Sequence, residues 1–196
     1  MRLTSLSVTA ATALAGIGAV LILAGPSSTN MATPAAHASM PGAMAVLRTA
    51  DGTGVGNVSF TADADGSKVI VDVTATGLPP GFHGFHVHTV GKCDGPDFTS
   101  AGAHLDPMGM SMAPMHAGDL SSLLVNDDGT GALRTVTDRF SVHDLLDGMG
   151  TAVVVHANAD NFGNIPSRYA PAPDATTQAT GDAGPRIACG VVQSAS

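Results

Sequence analysis

"KVIVDVTATGLPPGFHGFHVHTV", from Lys68 to Val90, decides the fold of this chain. Its first run, Lys68 to Ala75, is rich in Val and Ile, with Asp72 and Thr74 set between apolar neighbours. Branched residues in that pattern suit a pleated, half-buried strand. "TGLPPG" then breaks the run, since proline lacks a ladder N–H and glycine accepts backbone angles that other residues avoid. A second run, "GFHVHTV" (84–90), follows at once.

Working outward, the pattern recurs in "AMAVLRTA" (43–50), "NVSFTA" (57–62), "DLSSLLV" (119–125), "ALRTVTD" (132–138), "TAVVVHA" (151–157) and "RIACGVV" (186–192), eight strands in all. Several are bounded by Asp-Gly turns, a hairpin signal because glycine takes positive φ without a Cβ clash. Many short strands predict an all-β sandwich or barrel. "FSVHDLLDGMG" (140–150) has room for one helical turn. Segments 91–118 and 158–185 are too long for simple turns, and long structured loops in a compact β domain are often functional.

Composition agrees. Only 12% of residues are charged, no glutamate is present, and Lys68 and Lys92 are the only lysines. Strong helix formers of that kind are scarce, while Gly, Val, Thr and Asp are plentiful. The net charge of −8 argues against nucleic acid and anionic membrane surfaces as partners. An anionic small substrate remains compatible, because a local positive focus overrides the sign of the whole.

Residues 1–38 read as an export signal with its c-region, and 39–196 as the folded domain. Arg2 precedes an apolar run from Val8 to Ala24, and "AHA" at 36–38 is a cleavage pattern. The run is shorter than the ~20 residues of a bilayer span, which favours cleavage over a retained anchor. The expected location is therefore outside the cytoplasm: extracellular, periplasmic or in the envelope. Two cysteines in an exported chain, Cys93 and Cys189, invite a disulfide, the alternative being two buried thiols.

Histidines concentrate near the opening stretch. Side chains alternate along a strand, so His86 and His88 share one face and His83 takes the other. Two imidazoles on one face suit a metal ion, although any single histidine is as readily an ordinary core or surface residue. His104 and His116 lie in the long loop with Asp119 just beyond, and His156 ends the apolar "AVVVH", where an unpaired imidazole is costly.

"GFHVHTVGKC", "AGAHLDP", "HAGDL", "VVVHANAD" and "GDAGPRIACGVV" occur in that order. Together, over residues 43–193, they resemble the copper,zinc superoxide dismutases in their exported bacterial branch. The resemblance implies an eight-stranded Greek-key β-barrel with two long functional loops. It implies that His86, His88, His104 and His156 bind copper, with His104 bridging to zinc, and that Cys93 and Cys189 pair. It makes Arg186 the substrate-binding arginine, Asp160 the carboxylate behind the ligands, and His83 a structural histidine.

The zinc site departs from that family. His104, His116 and Asp119 match, but a further histidine is missing: "MGMSMAPM" (108–115) offers no nitrogen ligand. Zinc prefers four donors, so the expectation is a copper-only or weakly zinc-loaded centre. Met108, Met110, Met112 and Met115 are soft donors suited to Cu(I), or oxidant scavengers. Packing that fills irregular gaps is the favoured account of them. The implied function is dismutation of superoxide to dioxygen and hydrogen peroxide. The alternative is a copper-binding or copper-delivery module on the same fold. A homodimer is compatible; no stable membrane insertion is expected after signal cleavage.

Overall fold

The computed structural model describes residues 42–107, 109, 116–170 and 172–195. The export segment 1–38 and the methionines Met108, Met110, Met112 and Met115 lie outside the described residues. Among those described, no helix is long and apolar enough to cross a membrane.

Among the described residues, ten antiparallel strands form one sheet: β1 (Ala43–Arg48), β2 (Gly54–Ala62), β3 (Val69–Ala75), β4 (Gly81–His83), β5 (Phe85–His88), β6 (Leu123–Val125), β7 (Gly131–Thr137), β8 (Ala152–His156), β9 (Arg186–Val191) and β10 (Gln193–Ser194). The order is β4-β6-β7-β3-β2-β1-β9-β8-β5, with β10 pairing β1. Its two ends, β4 and β5, are consecutive in the chain and separated only by Gly84. The sheet therefore rolls into a nearly closed barrel. The chain leaves β3, skips two neighbours and returns at β4, a Greek-key crossing.

Alternation explains β1 and β3. Ala43, Ala45 and Leu47 face inward while Met44, Val46 and Arg48 face out; Val69, Val71, Val73 and Ala75 do the same on β3. Phe60, Phe85, Val87, Val153 and Val155 join them in the core. β5 and β8 are buried on both faces, barrel core on one side and loops on the other.

The structure adds two short strands, β4 and β10, to the eight expected. The run predicted as one strand from Gly84 is preceded by a separate strand, β4, which pairs β6, while β5 pairs β8. Gly84 makes the switch possible: a Cβ there would stand 2.6 Å from the Cβ of Ala183. The strand expected from 119 begins only at Leu123. The predicted helical turn is α1 (Val142–Leu146), opened by a capping box in which Ser141 and Asp144 satisfy each other's amides. The 158–185 loop also contains a second helix, α2 (Ala175–Thr180), capped by Asp174 and ended by Gly181.

Candidate metal centre

Four histidines from distant parts of the sequence meet at one end of β5. His86 and His88 leave the same face of β5, His156 ends β8, and His104 comes from the long loop. His104 is held beside β5 by an isolated bridge to His88. One ring nitrogen from each lies within 4.8 Å of the others, and all four residues are buried. Ring centroids are 4.1 Å apart for His86 and His104, and 5.7 Å for His88 and His156.

Each ring is pinned by the nitrogen that faces away from the cluster. His88 Nδ1 donates to the Gly102 carbonyl at 2.9 Å, and His156 Nδ1 to the Gly184 carbonyl at 2.9 Å. His86 Nε2 donates to Asp160 Oδ2 at 2.5 Å, and His104 Nδ1 to Asp119 Oδ1 at 2.7 Å. A carbonyl or carboxylate only accepts, so the pinned nitrogen carries the proton and the opposite nitrogen is a bare lone pair. His86 Nδ1, His88 Nε2 and His156 Nε2 are buried without a hydrogen-bond partner. Orphaned buried acceptors are costly, and three of them converging is an arrangement that a metal ion satisfies.

Electrostatics keep those lone pairs free. Desolvation, reinforced by the His104 and His156 charges, pushes His86 down to about 2. Desolvation and then His104 push His88 down to about 2, and desolvation lowers His156 to about 4. Their neutral forms, which bind metals, dominate at neutral pH. Burial raises the pKa of Asp160. For Asp119, burial acts upward, but the His104 hydrogen bond and its charge outweigh it and leave the carboxyl below its usual range.

A second, smaller group shares His104: His104, His116 and Asp119. Asp119 Oδ2 accepts the His116 amide at 2.8 Å and lies 3.3 Å from His116 Nδ1, too poorly aligned for a hydrogen bond. His83 stands apart from both groups. It spans His156 and Pro79, with Nδ1 2.7 Å from one carbonyl and Nε2 2.8 Å from the other.

Arg186 opens β9. Its Nη1 donates to the Phe98 carbonyl at 2.6 Å and its Nη2 to the Gly102 carbonyl at 2.7 Å. The Gly102 carbonyl therefore serves Arg186 and His88 together. Cys93 and Cys189 form a disulfide with Cα atoms 5.7 Å apart, fastening the 93–102 loop to β9. The structure thus brings together His86, His88, His104 and His156, sets His116 and Asp119 beside His104 and Asp160 against His86, and links Arg186 to His88 through the Gly102 carbonyl, while His83 stays outside both groups. What the sequence did not announce are the backbone carbonyls of Phe98, Gly102 and Gly184, which orient those side chains but have no side-chain signature.

The chain belongs to the copper/zinc superoxide dismutase (SODC) family, whose model matches residues 55–192. It is 45% identical over 178 residues to "Superoxide dismutase [Cu-Zn]" of Mycolicibacterium paratuberculosis, covering 82% of this chain and 78% of that protein. Over 174 residues it is 45% identical to the protein of the same name from Mycobacterium tuberculosis, covering 79% and 72%. It is also similar to the crystal structure of a SOD-like protein from Bacillus subtilis, with TM-score 0.61 and 28% identity over 75% of this chain and 95% of that one. The family implies copper and zinc, and the bare nitrogens fit copper.

Proposed function

We propose that this chain is an exported superoxide dismutase, converting two superoxide anions and two protons to dioxygen and hydrogen peroxide. The supporting observation is the set of bare nitrogens, His86 Nδ1, His88 Nε2 and His156 Nε2, buried within one cluster that shares the Gly102 carbonyl with Arg186. With His104 Nε2 they would hold copper, for which imidazole is a suitable ligand. Copper held there would supply one-electron exchange between successive superoxide anions.

The remaining work belongs to the protein. Arg186 spends two N–H groups on carbonyls that fix its plane, leaving others for a small oxyanion. In a chain of net charge −8 it is the local positive focus. His104, steadied through Nδ1 by Asp119, is the ring placed to pass one proton to the reduced substrate whenever its Nε2 is not engaged by copper; solvent supplies the second. Asp160 sets the tautomer of His86.

His104, His116 and Asp119 would receive zinc, one donor short of a closed tetrahedral site. The centre is therefore proposed to work with copper and to hold zinc weakly. Residues 1–38 are proposed as the export signal and 39–196 as the mature domain; the disulfide supports an oxidising destination.

Superoxide decay followed by stopped flow tests the reading. Copper-loaded protein should accelerate decay, and His156→Ala should abolish the acceleration. Tight copper binding with no acceleration would favour the copper-delivery alternative instead.

A further inference from the structure

Gly181 is the C-cap of α2, at φ 57 in the left-handed region. Several other glycines share that conformation with open space around them: Gly52, Gly66, Gly77 and Gly148 have nothing within 4 Å of where a Cβ would stand. Gly181 differs. A Cβ built there would overlap Oδ1 of Asp160 outright and lie 2.5 Å from its Cγ and 2.9 Å from its Oδ2.

The Asp160 carboxylate has nowhere to retreat. Its Oδ2 accepts from His86 Nε2 at 2.5 Å, and its Oδ1 accepts the Phe162 amide at 2.6 Å. The helix end is fixed as well. The Gly181 carbonyl accepts the Asn161 amide at 2.8 Å, and the Gly181 amide donates to the Thr177 carbonyl at 2.9 Å. Next in the chain, Asp182 accepts from the Asn161 side chain at 2.6 Å and from the Thr177 hydroxyl at 3.0 Å. The end of α2 and the turn at 160–163 thus clamp each other from both sides of the carboxylate.

We propose that Gly181 is a positioning residue for the copper site. Its bare Cα lets the Asp160 carboxylate occupy the place from which it holds His86 Nε2, and so keeps His86 Nδ1 unprotonated and aimed into the cluster. Any side chain at 181 displaces the carboxylate, releases the His86 tautomer and weakens the metal. This extends the function proposed above, since it takes His86 as a copper ligand.

The test compares Gly181→Ala, Gly181→Asn, Asp160→Ala and the double variant Gly181→Ala/Asp160→Ala. Asparagine tolerates the left-handed conformation but still carries a Cβ, so it separates backbone strain from the collision. In metal-free protein, the His86 Nε2–H proton should resonate far downfield by NMR in the parent and vanish in both Gly181 variants. Cu(II) affinity, measured by chelator competition, should fall about 10–100-fold in both. On the Asp160→Ala background, Gly181→Ala should cost less than about twofold.

Parent-like behaviour of Gly181→Asn overturns the proposal, as does a full additional loss in the double variant. If Gly181→Ala fails to fold, the double variant should regain the fold, and its failure to do so overturns the proposal too. The metal-free resonance needs neither copper nor superoxide, so this test can fail while the dismutase reading stands, and the reverse.

Discussion

Asp119 grips His104 Nδ1 at 2.7 Å with one carboxylate oxygen and takes the His116 amide at 2.8 Å with the other. One side chain thereby fixes the ring shared by both candidate metal groups. A carboxylate so placed can restrain His104 in the absence of zinc, because an outer hydrogen bond sets both the tautomer and the orientation of a ligating imidazole.

Asp119→Ala is therefore expected to weaken copper about 10–100-fold and to remove residual zinc. Chelator competition monitored for each metal checks this. Unchanged copper affinity would show that His104 is held by something else.

Arg186→Ala should lower the dismutation rate by about tenfold or more at low ionic strength, where steering of an anion is strongest. The parent's rate should fall as salt rises and the variant's should change little. Arg186→Lys should recover only part, because a single ammonium cannot hold the Phe98 and Gly102 carbonyls with a planar fork. Equal salt slopes in parent and Arg186→Ala would contradict the assignment.

The Cys93–Cys189 disulfide spans 96 residues. In the chain-entropy model a loop of that length contributes roughly 4–5 kcal/mol. Cys93→Ala/Cys189→Ala should lower Tm by roughly 10–20 °C for a domain of this size, read by calorimetry. A shift of less than about 3 °C would mean that the bridge adds little to the folded state.

Acid should destabilise the metal-free protein earlier than its carboxylates alone would. His86 and His88 sit near 2 and His156 near 4, against 6.5 when exposed. Their folded pKa values are depressed, so the unfolded chain takes up protons first. Stability is full above about 6.5 and falls as pH drops towards the folded values, at up to about 1.4 kcal/mol per pH unit for each histidine. Urea denaturation at pH 7.5 and 5 should show the lower midpoint at pH 5. His156→Gln should flatten that dependence, and an unchanged slope would count against a buried neutral cluster.

The strand pattern was legible wherever one face met the core, as in β1 and β3, because burial there alternates with the sequence. β4 was not, since nothing in "GFHGFHVH" says that Gly84 marks a change of partner; the close approach of Ala183, which leaves no room for a Cβ there, comes from far along the chain. α2 was missed because "ATTQAT" holds two β-branched threonines per turn, and only its caps, Asp174 and Gly181, announce it. The histidine cluster could be read because H-x-H on a strand fixes parity and the ordered motifs carried the rest. The carbonyls that orient the rings could not, since any residue type supplies one.

Copper-loaded protein examined by Cu(II) electron paramagnetic resonance, with copper quantified per chain, tests the central claim most directly. The account predicts one Cu(II) per chain bound by imidazole nitrogens, with a changed signal in His86→Ala and in His156→Ala. Copper held without nitrogen ligands, or a signal untouched by both substitutions, would contradict it.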